Sequence, residues 1–276
     1  MPVRARRFVR KMRGGAQAHL LECDDGGFYV VKFRNNPQHR RVLVNEWVSA
    51  LFLRHLQVSA PEAAIVDITP EFLTANPDVH MQLGHQRLAV EPGWHFGSQF
   101  PGHPDRLAVY DFLPDLLLGK VVNARDFLAT LVFDKWMANA DARQCIFFRA
   151  QIREWVDPNA PPARKGFIAQ MVDQGYVFDG PHWNFADSPI RGIYFRPSVY
   201  NGVRSWDDFQ PWLDQVVHFP EEVVDEAWKR VPAEWVGEDQ ASLEALLTKL
   251  LARRKRVADL IRECAKGKIN PFPNWK

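Results

Sequence analysis

The sequence predicts an α+β protein of two lobes. Extended runs crowd the first third, a Pro/Gly-rich stretch interrupts them after residue 91, and most of the remainder carries helical spacing. A division at residues 1–98 and 99–276 follows, with a strand-rich lobe first and a larger helical one after it. At 276 residues the chain can bury a substantial core, and 46% hydrophobic with 25% charged residues excludes fibrous and disordered classes.

Residues 17–23 and 28–33 form a predicted hairpin, because Asp24, Asp25, Gly26 and Gly27 supply turn chemistry between two extended runs. Residues 42–56 place Val44, Trp47, Val48, Leu51, Phe52 and Leu56 at a helical period, and Pro61 closes that region. Strands are expected at 63–67 and 87–90, and residues 92–104 read as a connector. Helices are expected at 110–118 and 124–138, the second capped by Asn123. Short strands at 145–148 and 167–172 flank a turn-rich loop at 157–162. Residues 181–205 are aromatic and irregular, with Trp183, Tyr194, Tyr200, Trp206 and Trp212 read as core packing. Helix returns from Trp206 and ends with a helix over 242–265. The chain carries no internal repeat.

A net charge of +2 gives no mandate for nucleic acid. Residues 253–256 are a basic cluster suited to the solvent face of a helix, whereas the basic residues at 4–7 and 10–11 lie just before a glycine turn. No run approaches the roughly 18 apolar residues of a membrane span, and no apolar stretch follows the basic N-terminus as a secretory signal requires. Cys23, Cys145 and Cys264 have no paired spacing and read as buried small hydrophobes in a reducing compartment, which points to the cytoplasm. Nine scattered histidines offer no zinc spacing, and no Gly-x-Ser-x-Gly elbow occurs.

One order of residues carries chemistry. Gly14, Gly15, Ala16 and Gln17 form a turn whose glycines let backbone N–H groups approach phosphate oxygens. Lys32 places one ammonium in an apolar strand, and Glu46 lies in the helix after it, as in a phosphate-contacting lysine held by a carboxylate. Asn139, Asp141 and Gln144 leave a helix in a loop whose oxygen donors suit magnesium, and Asp141 is placed to orient or deprotonate a hydroxyl. Asp134 competes for that role but sits mid-helix. Asp173 ends a strand and is followed by Gln174 and Gly175, the position of a metal-bridging carboxylate beside a mobile segment. Phosphoryl transfer uses these parts together.

With those residues in that order, the sequence resembles the HipA-like branch of the protein-kinase-like superfamily. The stretch at 139–147 is similar to that family's Asn-x-Asp-x-His…Asn loop, Met171-Val172-Asp173 to its magnesium aspartate, residues 28–32 to its ATP-lysine strand, and Gly14-Gly15-Ala16-Gln17 to its phosphate loop. The resemblance spans roughly residues 10 to 260. It implies a two-lobed kinase fold using ATP and magnesium, with relatives that phosphorylate serine or threonine. Gln144 stands for the family's second asparagine on a shorter loop, Arg143 for its histidine, and Asp-Gln-Gly for Asp-Phe-Gly. The chain also starts almost at the phosphate loop, so a compact member without the extra N-terminal subdomain is expected.

The expected function is therefore transfer of the γ-phosphate of ATP to a Ser/Thr or other hydroxyl. Lys32 would contact the phosphates, Glu46 would hold Lys32, Asp141 would meet the acceptor, and Gln144, Asp173 and Asp141 would face magnesium. The expected partners are ATP and a protein or small-molecule acceptor of unknown identity, with neither membrane nor nucleic acid indicated. A nucleotide-binding scaffold without transfer, and adenylyl transfer on the same fold, are the alternatives.

Overall fold

The computed structural model describes residues 1–267 and 270–275. The first part of the chain runs β1 (Val3–Lys11), β2 (His19–Cys23), β3 (Phe28–Lys32), α1 (Arg41–His55), β4 (Ala63–Ile68), α2 (Pro70–Ala75), β5 (His80–Leu83), β6 (Gln86–Ala89) and β7 (Gly93–Gln99). There follow β8 (Val109–Tyr110), α3 (Asp115–Leu118), α4 (Asp126–Trp136), β9 (Gln144–Gln151), α5 (Ile152–Trp155) and β10 (Lys165–Val172). The rest is helical, with α6 (Trp212–Val217), α7 (Glu221–Lys229), α8 (Ala233–Val236), α9 (Gln240–Arg253) and α10 (Val257–Lys266), plus short 3-10 turns. The class is α+β. Among the described residues no helix is long and apolar enough to cross a membrane.

Five strands close into a barrel in the order β1-β2-β3-β7-β4. One apolar cluster joins Leu21, Val31, Val66 and Ile68 of the barrel strands to Phe33, just past β3, and to Met81 of β5. Two expectations fail here. Residues 93–99 are no connector: β7 pairs antiparallel with both β3 (Val30↔Ser98) and β4 (Ala64↔Gly97). Its two glycines, Gly93 and Gly97, mask a strand in sequence. One of them is needed, since a Cβ on Gly97 would lie 2.6 Å from Val66 Cγ2. The glycine turn, in turn, does not precede the first strand pair but links β1 to β2. β1 was hidden because basic residues interrupt its apolar ones throughout; Arg4, Arg6, Arg7 and Arg10 are exposed while Ala5 is buried.

The helical part packs around one continuous core that also takes the inner face of α1. Trp136 on α4 stacks on Phe52 of α1 at 5.5 Å and meets Phe219 at 4.7 Å, so α1 is bound to the helical part and not only to the barrel. The predicted helix at 110–118 divides into β8 and the short α3, with Pro114 preceding the helical turn. Asn123 does not cap α4: its amide donates to Asp126 Oδ2 (2.8 Å) and to the Ala169 carbonyl (2.7 Å), tying the helix start to β10. The predicted helix over 242–265 is broken into α9 and α10 by a 3-10 turn at Arg254–Arg256. Arg253 in the basic cluster is buried, not solvated, because Asp187 accepts two of its hydrogen bonds. All three cysteines are free and buried.

The barrel encloses His95, whose ring packs edge-to-face on Phe33 at 5.6 Å. Its Nδ1 accepts from the Arg34 N–H and its Nε2 lies 2.9 Å from the Glu91 carbonyl, an arrangement that assigns the proton to Nε2 in the neutral ring. Burial pushes its pKa down to about 4. The unfolded chain therefore takes up this proton near the ordinary histidine value while the folded chain does not. Stability is full above that value and falls as pH drops towards about 4, with a slope of up to about 1.4 kcal/mol per pH unit. Urea unfolding at neutral and mildly acidic pH should record that decline, and His95→Gln should make it shallower, the buried His19, also held down to about 4, retaining its share. An unchanged pH dependence in the variant would place the titrating group elsewhere.

Candidate functional site

A cleft of about 590 Å³ opens where the barrel meets the helical part. Lys32, at the end of β3, projects into it from an otherwise apolar strand. Its Nζ donates to Glu46 Oε1 of α1 and to Asp173 Oδ1, the latter at 2.7 Å. One ammonium is thus shared by two carboxylates. The side chains of Lys32 and Glu46 are 10% and 5% exposed, whereas that of Asp173 is 36% exposed, so only Asp173 presents substantial surface to the cleft. Burial works to lower the Lys32 pKa, but the charges of Glu46 and Asp173 outweigh it and raise it. The Lys32 charge holds the Asp173 carboxyl below the usual carboxylate range, against its burial and with help from Gln144. Burial pushes the Glu46 carboxyl up, opposed by Lys32.

Backbone geometry fixes these groups. Asp173 leaves β10 with φ 60, a left-handed conformation that aspartate tolerates better than most residues. Gly175 follows with no room for a side chain, since a Cβ there would lie 2.6 Å from Val42 Cγ1 and 3.5 Å from Lys32 Nζ. Asn45, beside Glu46 in sequence, donates to the carbonyls of Gly175, Val177 and Gly180 and accepts from the Trp183 indole. α1 and the segment after Asp173 are therefore stitched together at the site.

The loop between β1 and β2 lies over the cleft, lined there by Gly14, Gly15 and Ala16 together with Arg10, Lys11 and Arg13. Gly14 has φ +116, a conformation that favours glycine, and the Asn36 amide clamps the Ala16 carbonyl at 2.6 Å. Gln17 is the expected residue that is not brought to the cleft. Its side-chain amide makes a reciprocal pair with the backbone of Gln82 on β5, donating to the carbonyl at 2.7 Å and accepting from the N–H. It braces the loop from outside.

Asp141 and Gln144 line the opposite wall. Asp141 is exposed, and the Asn139 side chain accepts from its N–H at 3.1 Å. Behind them sits a pair absent from the sequence reading of the site. Arg143 is buried and binds Asp134 with both Nε and Nη2. Its Nη1 donates to the Val172 carbonyl (2.9 Å) and to Gln174 Oε1 (2.6 Å). Asp134 also accepts from Asn139 Nδ2 at 3.0 Å. One guanidinium thus joins α4, the Asp141 loop and the end of β10 on either side of Asp173. Asn45 went unrecognised, and Arg143 and Gly175 were read from the sequence only as parts of the loop motif and of the Asp-Gln-Gly turn, without these packing and anchoring roles. For the buried pair the signal was Asp134, a carboxylate inside the apolar run of α4 that must find a buried partner.

The donor set fits a hard divalent cation. Asp173 is held ionised, Gln144 supplies an amide oxygen and Asp141 a second carboxylate in the same cleft. Among the described residues no group of three or more His, Cys, Asp or Glu side chains forms a closed cage. Magnesium needs none, since it takes one or two carboxylates and completes its sphere with phosphate oxygens and water. A larger depression of about 810 Å³ has none of these residues on its wall.

The buried Asp134–Arg143 pair generates a prediction. Removing one charge leaves the other unpaired in the core, so Asp134→Asn should cost about 3–5 kcal/mol by urea unfolding. Asp134→Leu combined with Arg143→Met should cost less than the sum of the single changes. A strictly additive double variant would deny the pair its coupling.

A family model described as HipA-like kinase matches residues 6–146, just over half of the chain. No curated protein matches the sequence. Among solved structures, a Golgi casein kinase superposes with a TM-score of 0.51 at 12% identity, over 97% of this chain and 72% of its own. A structure of the Golgi casein kinase with Mn/ADP bound gives 0.49 at 12% identity, over 97% and 73%. At such identity the first likeness establishes the fold alone, which is protein-kinase-like. The family match takes in most of the barrel, Lys32, Glu46 and Asp141 and stops short of Asp173, and on that match the chain belongs to the HipA-like kinase family.

Proposed function

We propose that the protein is an ATP- and magnesium-dependent phosphotransferase that moves the γ-phosphate to a hydroxyl, of serine, threonine or another acceptor. The observation that carries this reading is the Lys32 ammonium held jointly by Glu46 and Asp173 in a cleft shared with Gly14–Ala16 and Asp141. In this reading residues 1–98 form the lobe that receives the nucleotide and 99–276 the lobe that presents the acceptor. Lys32 exchanges Asp173 for phosphate oxygens while Glu46 keeps it in place. Arg10, Lys11, Arg13 and the glycine turn add positive potential and backbone N–H groups around the phosphates. Asp141 orients the acceptor hydroxyl and takes its proton. Bound magnesium would screen the phosphate charge, held by Asp173 and Gln144 with Asp141 nearby. The free, buried cysteines suit a reducing compartment, the cytoplasm in this reading.

Separately α- and γ-labelled ATP with magnesium provide the test, with autophosphorylation or an identified acceptor as readout. Label from the γ position only should be transferred. Asp141→Asn should lower turnover by roughly 10²–10⁴-fold while nucleotide binding persists. Transfer of the α label would mark adenylyl chemistry, and nucleotide binding without any transfer would mark a scaffold. Asp173→Asn should raise the magnesium requirement, and an unchanged magnesium titration in that variant would remove Asp173 from the metal site.

A further inference from the structure

Along the β3–β7 pair the cleft changes from polar to apolar. Phe96 stands opposite Lys32 across the pair and Ser98 opposite Val30. Past them, residues 99–101 line the same cleft together with Val109, Ala60 and Pro61. Val30, Val109 and Phe100 share one apolar cluster. Two residues along a strand span roughly 7 Å, so a nucleotide whose phosphates meet Lys32 brings its base to Ser98 and the exit of β7. That placement rests on the phosphotransferase reading. Ser98 and Pro101 are only partly buried, so a ligand in the cleft can touch both.

The backbone donors at that exit are already committed. β7 lies between β3 and β4, and its N–H groups turn to one neighbour or the other. The Gln99 N–H donates to the Glu62 carbonyl at 2.9 Å and the Phe100 N–H to the Phe28 carbonyl at 2.7 Å. Pro101 follows and has no N–H. What the wall offers a base edge here is the Ser98 hydroxyl and the Gln99 amide, which can each donate or accept. Adenine shows a donor at N6 and an acceptor at N1, and guanine reverses both, accepting at O6 and donating at N1. A fixed N–H would match the first and oppose the second, whereas apolar walls and adaptable side chains separate the two poorly. We propose that the cleft takes guanine as well as adenine nucleotides, with GTP a phosphoryl donor beside ATP, and that Pro101 is the residue that withholds the selecting donor. The acceptor oxygen bonds the γ-phosphorus as the bond to the β–γ bridging oxygen breaks. GDP leaves and the hydroxyl proton passes to Asp141.

Calorimetric titration of the full chain with the magnesium complexes of AMP-PNP and GMP-PNP reads base selection without any transfer. Transfer itself is followed with γ-labelled ATP and γ-labelled GTP. The two analogues should bind within about tenfold of one another, and both labels should reach product. Pro101→Ala returns one N–H to the exit of β7 and should move the affinity ratio about fivefold towards the adenine analogue. A preference beyond about tenfold for either analogue in the unaltered protein overturns the proposal, as does a label transferred from ATP alone. A ratio unmoved in folded Pro101→Ala overturns the part given to that residue. Binding of both analogues alike with neither label transferred upholds the tolerance for base and overturns the phosphotransferase reading alone. Binding of neither analogue overturns both.

Discussion

The Arg143 guanidinium is the fixed point of the site. Its planar fork binds both oxygens of Asp134 on α4, and its remaining nitrogen reaches the Val172 carbonyl and Gln174 around Asp173. The loop carrying Asp141 and the strand end carrying Asp173 thereby share one rigid anchor. A lysine at 143 would offer a point charge with no fork and would leave some of these acceptors unmet. The segments are zipped further by backbone bonds, Ala140 N–H to the Tyr176 carbonyl at 2.8 Å and Phe178 N–H to the Met137 carbonyl at 2.6 Å. Left-handed residues at Ala138, Asp173, Phe178 and Asp179 mark where the chain is held in uncommon conformations. Such conformations persist only where the surroundings over-determine them.

Against that fixed frame, the Lys32 cluster is deliberately unbalanced. Two carboxylates share one ammonium, and the inner one, Glu46, is closed off from solvent. The outer one, Asp173, alone is substantially exposed and lies in the cleft, which is why the proposed function makes it the exchangeable partner. The arrangement sets a closed ion pair, Lys32–Glu46, beside a more open one, Lys32–Asp173, the one that the proposed function opens.

The sequence disclosed the ends of this network more readily than its middle. Lys32, Glu46, Asp141 and Asp173 stand out because charged residues at strand ends and beside turns have recognisable chemistry, and the structure gathers all four around one cleft. Gln17 has the same local setting as Gly14 and Gly15, yet its amide turns to β5. That outcome depends on where the β5–β6 hairpin docks, and local pattern holds no record of it. Arg143 was noted only as standing where the family has histidine, and its anchoring role was hidden for the same reason, since its partners lie at positions 134, 172 and 174, brought together only by the fold. In the barrel, the hairpin of β2 and β3 was legible from two extended runs around a turn at 24–27. β1 was concealed by its arginines and β7 by its glycines, because a strand at the closure of a barrel is specified by its neighbours more than by its own composition.

The position of β7 has a consequence for how the chain comes to be folded. β1 meets β4 across more than sixty residues (Val3↔Val66), and β7 inserts between β3 and β4 only after both exist (Val30↔Ser98, Ala63↔Ser98). During synthesis the hairpin of β2 and β3 emerges with one flank unpaired, and that flank stays open until Gly93–Gln99 has left the ribosome. Barrel closure is thus a late, non-local event with a high loop-closure cost. The last strand of the barrel to be made is the one that seals it.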